Sequence, residues 1–335
     1  MAFRIIVLLV ALLAVLSQAR AQTHAQTHAE MATLRYGQIP STVHGVSSLP
    51  RFIAERQGFF ARENVALDVV QIPGGTGNMV AALDRGEVDV AQTATPYLVQ
   101  AALNGSQAVA IAGEIGNPVY SLIAGRDIAT FAALKGKVIG LSLPVDTISI
   151  STRKLLALNG LGDDDYRVKE LVGTPARAAC LKSGACDAVP LGQPDDLIAV
   201  RDGYKLLGVS TDAVAAFQFE VIAARRDYAA AHAPAIIGFV SALADAFRFI
   251  RDPAHHGDVV KAFAELTSAP DDIIEATLKL YFDPDRGVLP KQAEIDFAGF
   301  AQVIAFMGQG GVIKEPLPAP ERFVDLQYLK AVGVK

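Results

Sequence analysis

The chain contains no tryptophan, two cysteines and only 19% charged residues in a length of 335. Without an indole, any wall that stacks on a ring has to come from Tyr or Phe. Cys180 and Cys186 are too few for a cysteine-rich catalytic loop. Lysine and arginine number 30 against 35 acidic residues, giving a net charge of −5, and nowhere form a block. That balance argues against nucleic acid and against an anionic membrane surface as partners. His255-His256 has no carboxylate or thiol at ligand spacing, so it reads as a solvated helix start and no metal is expected. His44 has no nucleophile motif beside it.

Long apolar runs are scarce as well. One follows Arg4, from Ile5 to Leu16, and ends in Ala19-Arg20-Ala21, a small-x-small pattern. It is short for a bilayer span and reads as a secretory signal removed after Ala21, which places the mature protein in the periplasm. Residues 22–31, polar and repetitive, read as a disordered leader. Losing the signal removes Arg4 and Arg20 and makes the chain two charges more acidic. No later segment approaches spanning length without charge, Gly or Pro, so the mature protein is expected to be soluble. In an oxidising compartment Cys180 and Cys186 can form a disulfide across Ser183-Gly184, or remain two buried thiols; the spacing leaves both open.

What the chain does have is an internal echo. Gly75-Thr76, Leu83-x-x-Gly86-x-x-Asp89 and Pro96 return in one register as Gly173-Thr174, Leu181-x-x-Gly184-x-x-Asp187 and Pro194. Each copy is a Gly-Thr turn, an Ala-rich helix closed by Gly, and an Asp-led apolar strand. This predicts the same α/β unit in each of two lobes, with a cleft between them. Strands are expected at Thr33–Gln38, Ala66–Ile72, Val88–Gln92, Ala108–Gly113, Tyr120–Gly125, Val138–Leu143, Tyr166–Leu171, Ala185–Leu191, Tyr204–Val209 and Phe219–Ala223. Helices are expected at Leu49–Glu63, Thr76–Arg85, Ser149–Asn159 and Pro175–Ser183, with four more between Ala235 and Met307, the last at Lys291–Met307. Lobe 1 is assigned to 32–118 and 219–335, and lobe 2 to 119–218, with the helical tail folded back on lobe 1.

Three stretches carry a family resemblance. Pro50 to Phe60 with Leu67-Asp68-Val69, Ala82 to Ala91, and Leu134 to Gly140 resemble the signatures of ABC-importer solute-binding proteins of the nitrate, sulfonate, taurine and thiamine-pyrimidine class. The resemblance implies a two-lobed type II periplasmic-binding fold, joined by two crossing strands, that holds a solute between its lobes. It also implies no catalysis, no cofactor, an inner-membrane ABC permease as partner and a monomer. The alternatives are an exported enzyme of the same fold acting on a small heterocycle, or a ligand sensor for a membrane receptor. The chain lacks the Cys cluster of the fungal thiamine-pyrimidine synthases of this fold.

Ligands in such sheets sit beyond the carboxyl ends of strands, at helix N-termini that favour polar or anionic atoms. The candidate contacts in lobe 1 are therefore Gln38, Ser41 and Thr42, then Gly75, Thr76, Gly77 and Asn78, then Thr93, Ala94 and Thr95, with Glu114 facing an amine or the hinge. From lobe 2 and the return crossing come Thr147, Ser149, Gln193 and Phe219, with Tyr97 and Tyr120 as further walls. The hydroxyls serve equally as helix caps, and Arg51 and Arg177 equally as surface charges. Gly192 stands two places before Pro194, where relatives often carry an aromatic, which leaves room in the cleft. The expected solute is small and polar or anionic, sulfonate-like or aromatic-acid-like.

Overall fold

The computed structural model describes residues 31–214, 216–281 and 288–334; the expected signal and all but the last residue of the leader lie outside them. From Ala32 the chain forms β1 (Ala32–Gln38), α1 (Leu49–Arg56), α2 (Phe59–Arg62), β2 (Val65–Gln71), α3 (Gly77–Asp84), β3 (Val90–Ala94), α4 (Thr95–Leu103) and β4 (Ala108–Ile115). It continues with β5 (Ser121–Ala124), β6 (Val138–Leu141), α5 (Thr147–Leu158), β7 (Arg167–Glu170), α6 (Thr174–Lys182), β8 (Ala188–Leu191), α7 (Asp195–Arg201) and β9 (Lys205–Val209). The return is β10 (Glu220–Arg225), α8 (Arg226–Ala231), α9 (Ala233–Arg251), α10 (His256–Thr267), α11 (Asp271–Tyr281), α12 (Phe297–Gln309) and α13 (Gln327–Ala331).

Two five-stranded sheets result, ordered β2-β1-β3-β10-β4 and β7-β6-β8-β5-β9. The orders are the same if each strand of one lobe is replaced by its counterpart in the other. Each sheet has a parallel part, β2-β1-β3 or β7-β6-β8. Each then receives one antiparallel strand, β10 between β3 and β4, or β5 between β8 and β9. This is the two-lobed α/β fold the sequence predicts.

The echoed residues do the same work twice. Gly86 (φ +67°) and Gly184 (φ +73°) take the left-handed conformation that ends α3 and α6, which glycine adopts without a Cβ clash. One residue before the next strand, Asp89 accepts the backbone N–H of Arg35 at 2.8 Å and Asp187 accepts that of Val138 at 2.8 Å. In both lobes this carboxylate ties the incoming strand to its neighbour. It also explains why β3 pairs only from Val90 rather than from Val88.

Other expectations shift for local reasons. The helix expected over Leu49–Glu63 is broken where Gly58 turns left-handed (φ +69°). The helix expected from Lys291 begins at Phe297, because the Glu294 carboxylate folds back to accept the N–H groups of Lys291 and Gln292, both at 2.6 Å. The first lobe crossing is an irregular segment at 116–120, the second leaves lobe 2 through the 3-10 turn Ser210–Asp212 and reaches β10 through 216–219, and the two strands expected there belong each to one sheet. Cys180 and Cys186 are bonded, joining the end of α6 to the approach to β8.

The tail packs on lobe 1. Ala233–Arg251 is long and apolar enough by length and composition to cross a membrane, although Pro234, Gly238 and Asp245 interrupt it, and more than half of its most apolar stretch is buried inside the fold. Phe239 of this helix stacks on Phe60 at 5.5 Å between centroids and tilts against Tyr36 at 6.2 Å. Its fully buried Ile236, Val240 and Leu243 each contribute roughly 2 kcal/mol of burial.

Candidate functional site

Because β10 runs antiparallel, its first residue, Glu220, pairs with Ala94 and Ile115 at the carboxyl ends of β3 and β4. Ser121 at the head of β5 likewise pairs with Leu191 and Val209 at the ends of β8 and β9. The residue before each antiparallel strand is aromatic. Tyr120 and Phe219 meet edge to face, with centroids 5.9 Å apart and planes at 83°. They form the floor of a cleft whose two adjoining compartments measure about 300 and 50 Å³. Both compartments share Ser41, Thr42, Tyr120, Thr174, Phe219 and Glu220.

The echoed Gly-Thr turns face each other across the smaller compartment, with Gly75-Thr76 on one wall and Gly173-Thr174 on the other. Glycine is needed at Gly173, whereas Gly75 has room for a Cβ at ordinary contact distance. A Cβ on Gly173, where φ is +86°, would stand 3.2 Å from Ser41 Cβ, and one on Gly75 would stand 3.8 Å from Leu143 and Val172. The lobes are therefore in contact at the cleft mouth.

Of the residues singled out from sequence, Ser41, Thr42, Gly75, Thr76, Ala94, Gln193 and Phe219 line the cleft together. Others stand behind its walls. Gln38 is fully buried and donates to Ser48 and to Gln92. Thr93 donates to the Thr76 carbonyl at 3.1 Å and so holds the Gly-Thr turn. Gly77 lies against Tyr97, and the exposed Asn78 turns back to the Pro73 carbonyl at 2.8 Å. The hydroxyls of Thr95, Thr147 and Ser149 are buried at helix starts without a hydrogen-bond partner. Arg51 packs over Tyr36 and pairs with Glu55 at 2.7 Å, away from the cleft walls.

The sequence reading passed over Asp146, Asp195, Tyr281 and above all Glu220 as cleft residues. Arg177, weighed as a surface charge, is fully buried in the wall. Its Nε donates to the Pro190 carbonyl at 2.7 Å, and its two amino groups to Leu171 O and Thr174 Oγ1, both at 3.2 Å. Burial pushes this guanidinium below its ordinary value.

Carboxyls gather at the floor, where Glu220 lines the cleft and the predicted contact Glu114 stands buried behind it. Burial raises Glu220 well above the carboxylate range, and Glu114 and then Asp146 raise it further. Glu114, one residue before the end of β4, is lifted to about 8 by burial, partly offset by Gln92, Arg51 and Tyr36. Neither Glu114 oxygen has a well-aligned hydrogen-bond partner. Asp146 is raised by burial, although it accepts from Ile148 N at 3.0 Å and Ser142 Oγ at 2.7 Å. Among the described residues no group of three His, Cys, Asp or Glu is placed to hold a metal ion. A hollow of about 330 Å³ between α9 and α11 is comparable in size, but its His256–Glu275 pair is exposed and already satisfied. The cleft differs in having buried polar groups that lack partners.

A family model described as NMT1/THI5 like matches residues 46–255, more than half of the chain. The chain belongs to the NMT1/THI5-like family. Within the NMT1/THI5-like fold, several solved structures overlie it. The periplasmic nitrate-binding protein NrtA from Synechocystis PCC 6803 has a TM-score of 0.72 and 16% identity, covering 91% of this chain and 89% of that one. The periplasmic aliphatic sulphonate-binding protein SsuA from Escherichia coli scores 0.66 at 18% identity, covering 88% and 92%. The desulfurization enzyme DszB scores 0.61 at 16% identity, covering 90% and 98%. At these identities they share the fold with this NMT1/THI5-like chain. No curated protein matches its sequence.

Proposed function

We propose that the protein is the periplasmic solute-binding component of an ABC importer, a monomer that captures a small polar organic solute between its lobes and presents it to an inner-membrane permease. The observation that carries this is the facing pair of Gly-Thr turns, one from each lobe, over a floor made by the two crossings. Polar groups from both lobes converge there, and a cavity of about 300 Å³ suits a molecule of one ring or less. The likeness in fold to NrtA and SsuA, and the secretory signal expected before Gln22, support the same reading. The chemistry at hand is that of binding. Both thiols are in a disulfide, and His44 makes its hydrogen bond to the Leu266 carbonyl at 3.0 Å rather than to a cleft hydroxyl.

The test is a thermal-shift screen of the mature protein, unfolded and refolded to strip any carried solute, against amines, aromatic acids, sulfonates and pyrimidines. A solute at 100 times its Kd adds about 2.7 kcal/mol and raises Tm by several degrees. The expected result is a hit recovered chemically unchanged. Recovery of a product of different mass would replace this reading with the exported-enzyme one, for which DszB is the precedent in fold.

A further inference from the structure

We infer that the cleft is built for a compact organic cation, an ammonium or amidinium nitrogen on a small apolar body, held by Glu220 against the aromatic floor; this substrate class presupposes the solute-capture reading. The charged groups that line the walls are Asp146, Asp195 and Glu220 against a single guanidinium, Arg177. That guanidinium already donates to two carbonyls and a hydroxyl, all from its own lobe. An oxyanion would therefore enter a site where carboxyls outnumber cations and where the one guanidinium is engaged.

Except at α3, which starts at Gly77 with neither an acid nor a proline in its first turn, the helix starts offer a poor anion cradle. Asp146 caps α5 with its own carboxylate, and Asp195 and Asp196 occupy the first turn of α7. The first turns of α4 and α6 contain Pro96 and Pro175, which have no N–H to give. Thr95 N–H is spent on the Phe219 carbonyl at 3.0 Å.

The unpartnered atom in the larger compartment is an acceptor. Gln193, 4% exposed, gives its Nε2 to Asp196 at 2.7 Å, and that bond fixes the amide so that Oε1 is left without a donor. A cationic nitrogen with two or three N–H groups could satisfy Gln193 Oε1 and Glu220 together. Tyr120, Phe219 and Tyr281 line the same compartment, and an exposed aromatic face there would attract a cation electrostatically.

Glu220 is faced by Glu114 from β4, Gln92 from β3 (Nε2 to Oε2, 3.2 Å), Asp146 from the head of α5, Arg177 from α6, and the tyrosines Tyr120 and Tyr281. With the Glu114–Glu220 pair held protonated by burial, a cation displaces a proton as it binds, whereas an anion requires the proton to stay. The two ligand classes therefore respond to pH with opposite sign.

The experiment is calorimetric titration of the refolded mature protein with benzylamine and benzamidine, set against benzoate and benzenesulfonate. It is run at pH 6 and pH 8, in buffers of two ionisation enthalpies. The expected result is binding of the two cations, with proton release and higher affinity at pH 8. Glu220→Gln, shown to be folded by its melting curve, should weaken their binding at least about tenfold, as loss of a charge-assisted hydrogen bond does. Cation binding unchanged by Glu220→Gln overturns the assignment. Binding of benzoate or benzenesulfonate instead, without proton release, overturns it while leaving solute capture standing. If none of the four binds, the cation assignment also falls. Solute capture is then judged by whether protein purified without refolding releases an unaltered small molecule when unfolded.

Discussion

Raising the pH of the ligand-free protein from 5 to 8 should destabilise it, and Glu114 sets the size of the effect. Burial lifts this carboxyl from 4.5 to about 8 in the folded state, while in the unfolded chain it ionises near its ordinary value. Between those values the folded protein holds a proton that the unfolded chain has released. A raised folded pKa gives stability that is complete below about pH 4.5 and is lost as pH climbs to about 8. At about 1.4 kcal/mol per unit, Glu114 alone removes about 3 kcal/mol between pH 5 and pH 8. Glu220 is displaced in the same direction and adds to the loss. Carboxylates held low, such as Asp163 beside Tyr166 and Arg153, act in the opposite sense but only as pH falls through the acid range below the window. Urea unfolding followed by far-ultraviolet circular dichroism measures this without needing a tryptophan. Glu114→Gln has no charge to desolvate and should flatten the pH 5–8 slope by about 3 kcal/mol while changing stability little at pH 5. The reasoning is refuted if parent and variant keep the same slope, or if the parent grows more stable toward pH 8.

Three further outcomes follow from the echoed architecture. Gly173→Ala strains a backbone at φ +86° and sets a methyl 3.2 Å from Ser41, so titration with whichever solute binds should show roughly tenfold weaker binding, with about 1 kcal/mol lost from the fold. Asp89→Asn and Asp187→Asn should both destabilise the protein in urea, by about 2 and 1 kcal/mol respectively. The order follows from burial and pairing: Asp89 is 5% exposed and 2.6 Å from Arg35, whereas Asp187 is 30% exposed and 3.7 Å from Lys137, so equal losses would contradict the assigned roles. Alkylation without reductant should leave the mass unchanged, and reduction of Cys180–Cys186 should cost about 2 kcal/mol, as expected for a short closed loop; two alkyl adducts on the untreated protein would show the bond is absent.

The lobes were legible because their markers act locally. A glycine that must turn left-handed and an aspartate that must hold a neighbouring N–H sit at fixed offsets from a helix and a strand, as Gly86 and Asp89 do in one lobe and Gly184 and Asp187 in the other. The Gly75-Thr76 and Gly173-Thr174 turns were found by the same route. Glu220 left no such trace. In the sequence it is an acid at the head of an apolar strand, and only the antiparallel insertion of β10 carries that head to the carboxyl ends of β3 and β4. Asp146 was not singled out, although it caps α5 through Ile148 N and accepts from Ser142 Oγ. Hydroxyls such as Thr95 and Thr147 belong to the right loops but the wrong side of them, because a period of two or of 3.6 gives a face and not which face meets the cleft. The segment before Phe297 reads as helix because nothing in its apolar spacing signals that the Glu294 carboxylate will accept the N–H groups of Lys291 and Gln292.

The central claim is that two copies of one α/β unit close on a small solute. Small-angle X-ray scattering of the stripped mature protein, with and without a solute that raises its Tm, tests this directly. The account predicts a smaller radius of gyration with the solute present, and a weaker contraction in Gly173→Ala, where the added methyl props the lobes apart. A solute that stabilises the protein with no contraction in the parent, and equally well in Gly173→Ala, would place binding outside the cleft and contradict the account.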